Sequence, residues 1–241
     1  MLVVAALVPD TALLVPGAGG SSDVVSGLRD AALRAVREVV ASGVRSIVVV
    51  APGPADRVVA GAVRTTLGAA GIPDHLLGWP VADVRVDGVG SDGPGIPGVV
   101  ALHLLVQAGW TGAVRAVEVT PERGADGLAA LGSELVADGP TGLVVVGSGS
   151  GRHGPDAPLA DDPRAPGHDA RVLADLADAG PAARARLAAD DPRVAEELAV
   201  RGWAPWQVLR GAAGSAPVRA RLLAESTELG AHHAVLVWDA R

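Results

Sequence analysis

Val144-Val-Val-Gly-Ser-Gly-Ser-Gly-Arg-His153 is an apolar run that stops at a glycine-rich turn and a histidine. In α/β proteins, functional groups gather just past the carboxyl end of a strand, and this segment has that form. A glycine turn could cradle phosphate with its backbone N–H groups, but the spacing matches neither the P-loop nor the dinucleotide fingerprint. Nor is it a nucleophile elbow, because the centre of Gly147-Ser-Gly-Ser-Gly151 is Gly149. What remains is a tight turn presenting Ser148, Ser150 and His153 at the edge of a sheet. His153 reads either as a surface histidine or as an acid/base group titrating near neutrality.

Working outward, apolar β-rich runs recur at Leu2–Val8, Ser46–Ala51, Ala113–Val119, Leu143–Gly147 and Ala234–Trp238, and the chain also returns to extended structure at Arg219–Glu225. Several are apolar at successive positions, as strands buried on both faces must be. Amphipathic segments alternate with them. Ser22–Ala41 sets Val25, Leu28, Ala32, Val36 and Val39 against Arg29, Arg34, Arg37 and Glu38. Pro97–Ala108 and Glu122–Ala137 read the same way. A Pro/Asp-rich connector, Pro155–Pro166, then leads into an Ala-rich stretch punctuated by Pro181, Pro192 and Pro205, read as three or four short helices. The Gly/Pro-rich loop Gly88–Gly98 is read as a surface connection or a lid. The alternation predicts an α/β fold: a single domain over 1–241, with a central mixed β-sheet flanked by helices on both faces.

The 241 residues suffice for one substantial core, and 49% hydrophobic content excludes disorder. Lys, Asn, Cys, Phe and Tyr are all absent, which reads as the codon bias of a GC-rich genome. Without cysteine there are no disulfides, zinc–thiolate sites or thiol nucleophiles. A net charge of −7 without a basic cluster argues against a nucleic-acid partner. Leu2–Val8 is too short for a membrane span and has no basic flank, so no membrane is expected and the cytoplasm is the expected location.

Asp10 follows the first strand and reads as a turn cap or as a ligand or base. The second strand ends at Ala51-Pro-Gly-Pro54, where Gly53 offers no side chain. His232 and His233, being adjacent, should point to opposite faces of the last strand and not share a metal. His75, His103 and His168 form no i,i+4 pair, so spacing gives no metal motif. Trp203 and Trp206, in Arg201-Gly-Trp-Ala-Pro-Trp-Gln-Val-Leu-Arg210, read as pocket lining, a subunit contact of a possible homodimer, or core filling.

Taken in order, these segments resemble the class III extradiol ring-cleaving dioxygenases of the LigB-like fold, and most closely an actinobacterial-type, uncharacterised branch. Ala6-Leu-Val-Pro-Asp-Thr-Ala-Leu-Leu-Val-Pro16 is similar to the family's opening Pro-His-Pro-Pro-Leu-Leu. Ser46–Pro54 resembles the second strand, which ends there in Pro-His-Gly. Gly147–His153 is similar to Gly-Thr-Gly-Gly-Leu-Ser-His, and Arg201–Leu209 resembles the late segment before a helix. The resemblance implies an acid/base role for His153 and puts the family's iron-ligand positions at Asp10, Gly53 and Arg201. Those residues do not make three good ligands for Fe(II). The resemblance therefore implies a degenerate metal site and no cofactor, with a small, anionic ligand bound among Asp10, Ser148, Ser150, His153, Arg201 and Trp203. It also implies an Asp10–Arg201 ion pair where the metal would sit. Two alternatives stand beside it. One is an active Fe(II) ring-cleaving dioxygenase acting on a catechol. The other is a non-enzymatic scaffold of the Memo-like kind, marked by a tryptophan-containing apolar surface that a dimer would bury.

Overall fold

A computed structural model describes residues 1–20, 23–90 and 93–240. Among the described residues, nine strands and seven α-helices follow in chain order. They are β1 (Leu2–Val8), α1 (Ser26–Ala41), β2 (Ser46–Pro52), β3 (Arg57–Val59), β4 (Gly61–Arg64), β5 (Asp83–Val86), α2 (Ile96–Gln107), β6 (Arg115–Val119), α3 (Gly124–Leu135), β7 (Thr141–Val146), α4 (Ala165–Asp178), α5 (Pro181–Ala188), α6 (Pro192–Glu197), α7 (Trp203–Ala213), β8 (Arg219–Ser226) and β9 (His233–Asp239). Seven strands form one mixed sheet in the order β3-β6-β2-β7-β1-β9-β8, and β4 pairs with β5 in a separate ribbon. The central strands β6, β2, β7 and β1 are parallel; β3, β9 and β8 join antiparallel to their neighbours.

Period-two alternation sends the strand side chains to two separate cores. On one face, Ala6, Val49, Val144 and Val235 pack beneath α1 and α2. On the other, Leu7, Val50, Val145 and Leu236 pack beneath α3, α4 and α7. Every residue of β1 and β7 is buried, which explains why these segments are apolar without a break. This is the α/β sheet with helices on both faces that the alternation predicts.

The chain leaves β1 and β2 toward the helices of one face and leaves β6 and β7 toward those of the other. Loops diverging in this way at neighbouring strands open a crevice beyond their carboxyl ends. Because β9 is antiparallel to β1, its first residue, His233, arrives at the same edge.

Three local expectations are corrected. The helical run read as Ser22–Ala41 begins at Ser26, and Ser22 lies outside the described residues. Arg29, assigned to a solvent face, is buried: its Nε and Nη2 donate to the carbonyls of Leu14 and Leu13 at 2.8 and 3.0 Å, and the Asp23 carboxylate accepts from both Nη1 and Nη2. The Gly88–Gly98 loop is shorter than its composition suggests, because α2 starts at Ile96 and Gly95 N–H donates to the Glu118 carboxylate at 2.5 Å. Positions 91 and 92 of that loop lie outside the described residues. The prolines at 181 and 192 open α5 and α6, where a missing N–H costs nothing.

Candidate functional site

At the carboxyl edge of the sheet lies a cavity of about 690 Å³. Asp10 enters it from the loop after β1, Gly53 from the end of β2, Ser148 and Gly149 from the turn after β7, and His233 from the start of β9. The far wall comes from α6 and the approach to α7, including Arg201. The 147–151 turn is held like a further strand. Gly147 N–H donates to Val8 O and Gly149 N–H to His232 O, both at 2.9 Å, and His232 N–H donates to Ser150 O at 2.8 Å. A Cβ at Gly147 would lie 2.4 Å from Gly202 Cα, and one at Gly149 would lie 2.5 Å from His232 Nδ1. Only glycine lets the turn pass between these neighbours.

Two polar pairs face the cavity. Arg201 Nε donates to Asp10 Oδ2 at 2.5 Å, the ion pair expected from the sequence. The Asp10 side chain is 9% exposed and that of Arg201 56%. Among the described residues, the terminal nitrogens of Arg201 carry no hydrogen bond, so they remain open to an anion. In the second pair, Ser148 Oγ lies 2.8 Å from His233 Nδ1 while accepting the Asp10 backbone N–H at 3.3 Å. The direction of this bond follows the tautomer of His233: with the ring hydrogen on Nε2, Ser148 Oγ–H donates to Nδ1 and Nε2–H is left for another acceptor. Burial holds the His233 imidazole below its ordinary pKa, opposed by the Asp10 charge and reinforced by His232, so the neutral form is favoured at neutral pH. The site thus offers a guanidinium, an imidazole and a carboxylate along one wall. It can bind an anion and exchange a proton with it.

His153 is not part of this cavity, contrary to its expected place. It turns to the opposite side of the glycine turn, where its Nε2 meets Asp169 Oδ2 at 2.6 Å. Asp169, on α4, also accepts the Ser150 N–H through both oxygens at 3.1 and 3.0 Å. His168 lies between Asp169 and Asp190, with nitrogen–oxygen distances of 3.5 and 3.3 Å, and Arg171 caps Asp190 at 2.9 Å. The two carboxylates push His168 up to about 9, making it a buried cation at neutral pH. In return, His168 and the neighbouring donors hold both aspartates below the usual carboxylate range despite their burial. His232 stacks over His153 with ring centroids 6.0 Å apart and meets Glu225 at 3.1 Å.

Two other expected site residues are structural. Ser150 is fully buried and donates to the Leu198 carbonyl at 2.6 Å. Trp203 is buried in the core with its Nε1 donating to Asp190 O at 3.1 Å, and Trp206 packs over Gly202. The exposed tryptophan surface that would mark a scaffold is therefore absent from this segment. His233 is the residue the sequence left out of the site. Its signal was the adjacent pair itself: one of two consecutive strand residues had to face the ligand edge.

The positions that the resemblance assigns to iron do not fit an Fe(II) centre. A Cβ at Gly53 would come within 2.6 Å of Glu118 Cβ, so no side chain can serve there. Arg201 brings a cation onto the one carboxylate that could bind metal. Among the described residues, no group of three or more His, Cys, Asp or Glu could hold a metal ion.

Known proteins add the fold alone. No protein-family description matches the chain, and no curated protein is recognisably similar in sequence. The crystal structure of the uncharacterised protein JW3007 from Escherichia coli K12 superposes on it with a TM-score of 0.55 and 15% identity, over 98% of this chain and 99% of that one. Among the described residues, no helix is long and apolar enough to cross a membrane.

Proposed function

We propose that this is a divergent, cytoplasmic LigB-like protein whose strand-end cavity binds a small organic anion without iron chemistry. The observation that carries this reading is the Arg201 guanidinium seated on Asp10 at the cavity wall. It puts a fixed positive charge where the resemblance would put a metal ion, and its unspent donors match a carboxylate fork. Neutral His233, paired with Ser148, adds an imidazole beside it. Depth and rigidity support the reading as well, since a preformed crevice at a sheet's carboxyl edge is where α/β proteins take small ligands.

Anaerobic titration with Fe(II), with elemental analysis of the purified protein alongside, tests the proposal. The expected result is no stoichiometric iron and no turnover of a catechol. Stoichiometric iron bound at micromolar or tighter affinity would overturn it and restore the dioxygenase alternative.

A further inference from the structure

Resting on that reading, the lining of the cavity narrows the ligand class: we infer that it takes a monocarboxylate with an aliphatic body. The polar groups are segregated. Asp10, Ser148, His233 and Arg201 cluster at the sheet edge, while the walls beyond them are Pro52, Val119, Leu159, Ala195, Val200 and Ala204. Val119, Ala195, Val200 and Ala204 are buried, forming the floor against which an apolar body would pack.

No tryptophan lines the cavity among the described residues, and the chain has no Phe or Tyr, so the apolar walls are aliphatic and offer no large aromatic face to a ring. The other charged lining groups are Glu122, Arg193 and Glu196, all exposed at the rim, where water screens them. Two of these three are acidic, so the rim offers a second carboxylate no buried cation and no net attraction. A dicarboxylate or a phosphorylated ligand suits the rim poorly. One anionic head on Arg201 and His233, with a saturated chain or ring along the Val200 wall, fits charge and surface together.

Calorimetric titration of the full chain with acetate, succinate, benzoate and octanoate tests this. Each methylene withdrawn from water is worth about fourfold in affinity. Octanoate is therefore expected to bind at least tenfold tighter than acetate, and tighter than benzoate or succinate. Arg201→Gln should weaken octanoate at least tenfold, and Leu159→Ser, at an exposed rim position, should narrow the octanoate-to-acetate ratio. If no carboxylate binds, the anion-site reading itself falls. If acetate matches octanoate, or succinate or benzoate binds tighter, the aliphatic inference falls while the anion site stands. Unchanged octanoate binding by Arg201→Gln would overturn the assignment of the head group.

Discussion

The two sides of the Gly147–His153 turn are built from the same residue types and end in opposite chemistry. On the cavity side, Arg201 has unspent donors and His233 has one ring nitrogen committed. On the α4 side, Asp169 meets Ser150 N–H and His153 and faces His168, which in turn faces Asp190, itself bonded to Arg171. Open valence on one side and mutual saturation on the other separate a place for a ligand from a place that holds the fold. His232 and His233, consecutive in sequence, fall one to each side. Identity of residue type therefore says little about role here; how many partners a group already has says more.

The sharpest way to break this contrast is Asp169→Ala. It strips three neighbours of their carboxylate and leaves the buried His168 cation short of compensation, at a cost of about 3–5 kcal/mol in unfolding free energy. Urea denaturation reads this as a lowered midpoint. A loss under 1 kcal/mol would mean the network is not what holds the turn.

Next in size is pH. His168 is raised in the folded state from its ordinary 6.5 to about 9. Its stabilisation is complete below pH 6.5 and is lost as pH climbs through 9, with a slope of up to about 1.4 kcal/mol per pH unit. His233 is shifted the other way, so its contribution rises with pH up to 6.5. The lowered Asp169 and Asp190 stabilise above the usual carboxylate range and lose this as acid protonates them. Stability measured against pH should peak near 6.5, with His168→Gln flattening the alkaline limb and His233→Gln easing the acid one.

His153→Gln should cost about 1 kcal/mol, because Ser150 N–H still holds Asp169. If it instead abolished ligand binding with little effect on folding, the division between the two sides would be wrong. Arg201→Gln should cost no more than about 1 kcal/mol in the same denaturation assay, because Arg201 is 56% exposed and glutamine can still donate to the nearly buried Asp10 carboxylate.

Much of the fold was written in the residues. Leu2–Val8 was read to the residue and Ala234–Trp238 to within one at either end, because buried strands leave unbroken apolar runs; the half-exposed edge strand read as Arg219–Glu225 ends one residue later, at Ser226. The ribbon of β4 and β5 escaped notice: its strands have four residues each, and in β5 only Val84 and Val86 turn inward. In the site, Asp10 and Arg201 were paired through the family resemblance, which puts both at metal-ligand positions, and the two side chains do meet. His153 was misplaced for a reason no spacing reveals. The turn reaches past the edge of β7 before the histidine arrives, and the partner that captures it, Asp169, lies sixteen positions on, beyond a proline-rich connector. That connector was itself read only as a link, yet Pro158 and Leu159 form part of the cavity wall.

The position of β1 also sets a schedule. This strand is made early, and all seven of its residues are destined for the interior, but both its neighbours, β7 and β9, are made late: Val8 waits for Val146 and Leu7 for Leu236. At ribosomal speeds the wait for β7 lasts roughly ten seconds, long enough for an unpaired apolar strand to meet other chains. Overproduction of this protein should therefore depend on chaperone supply during translation more than its final stability would suggest.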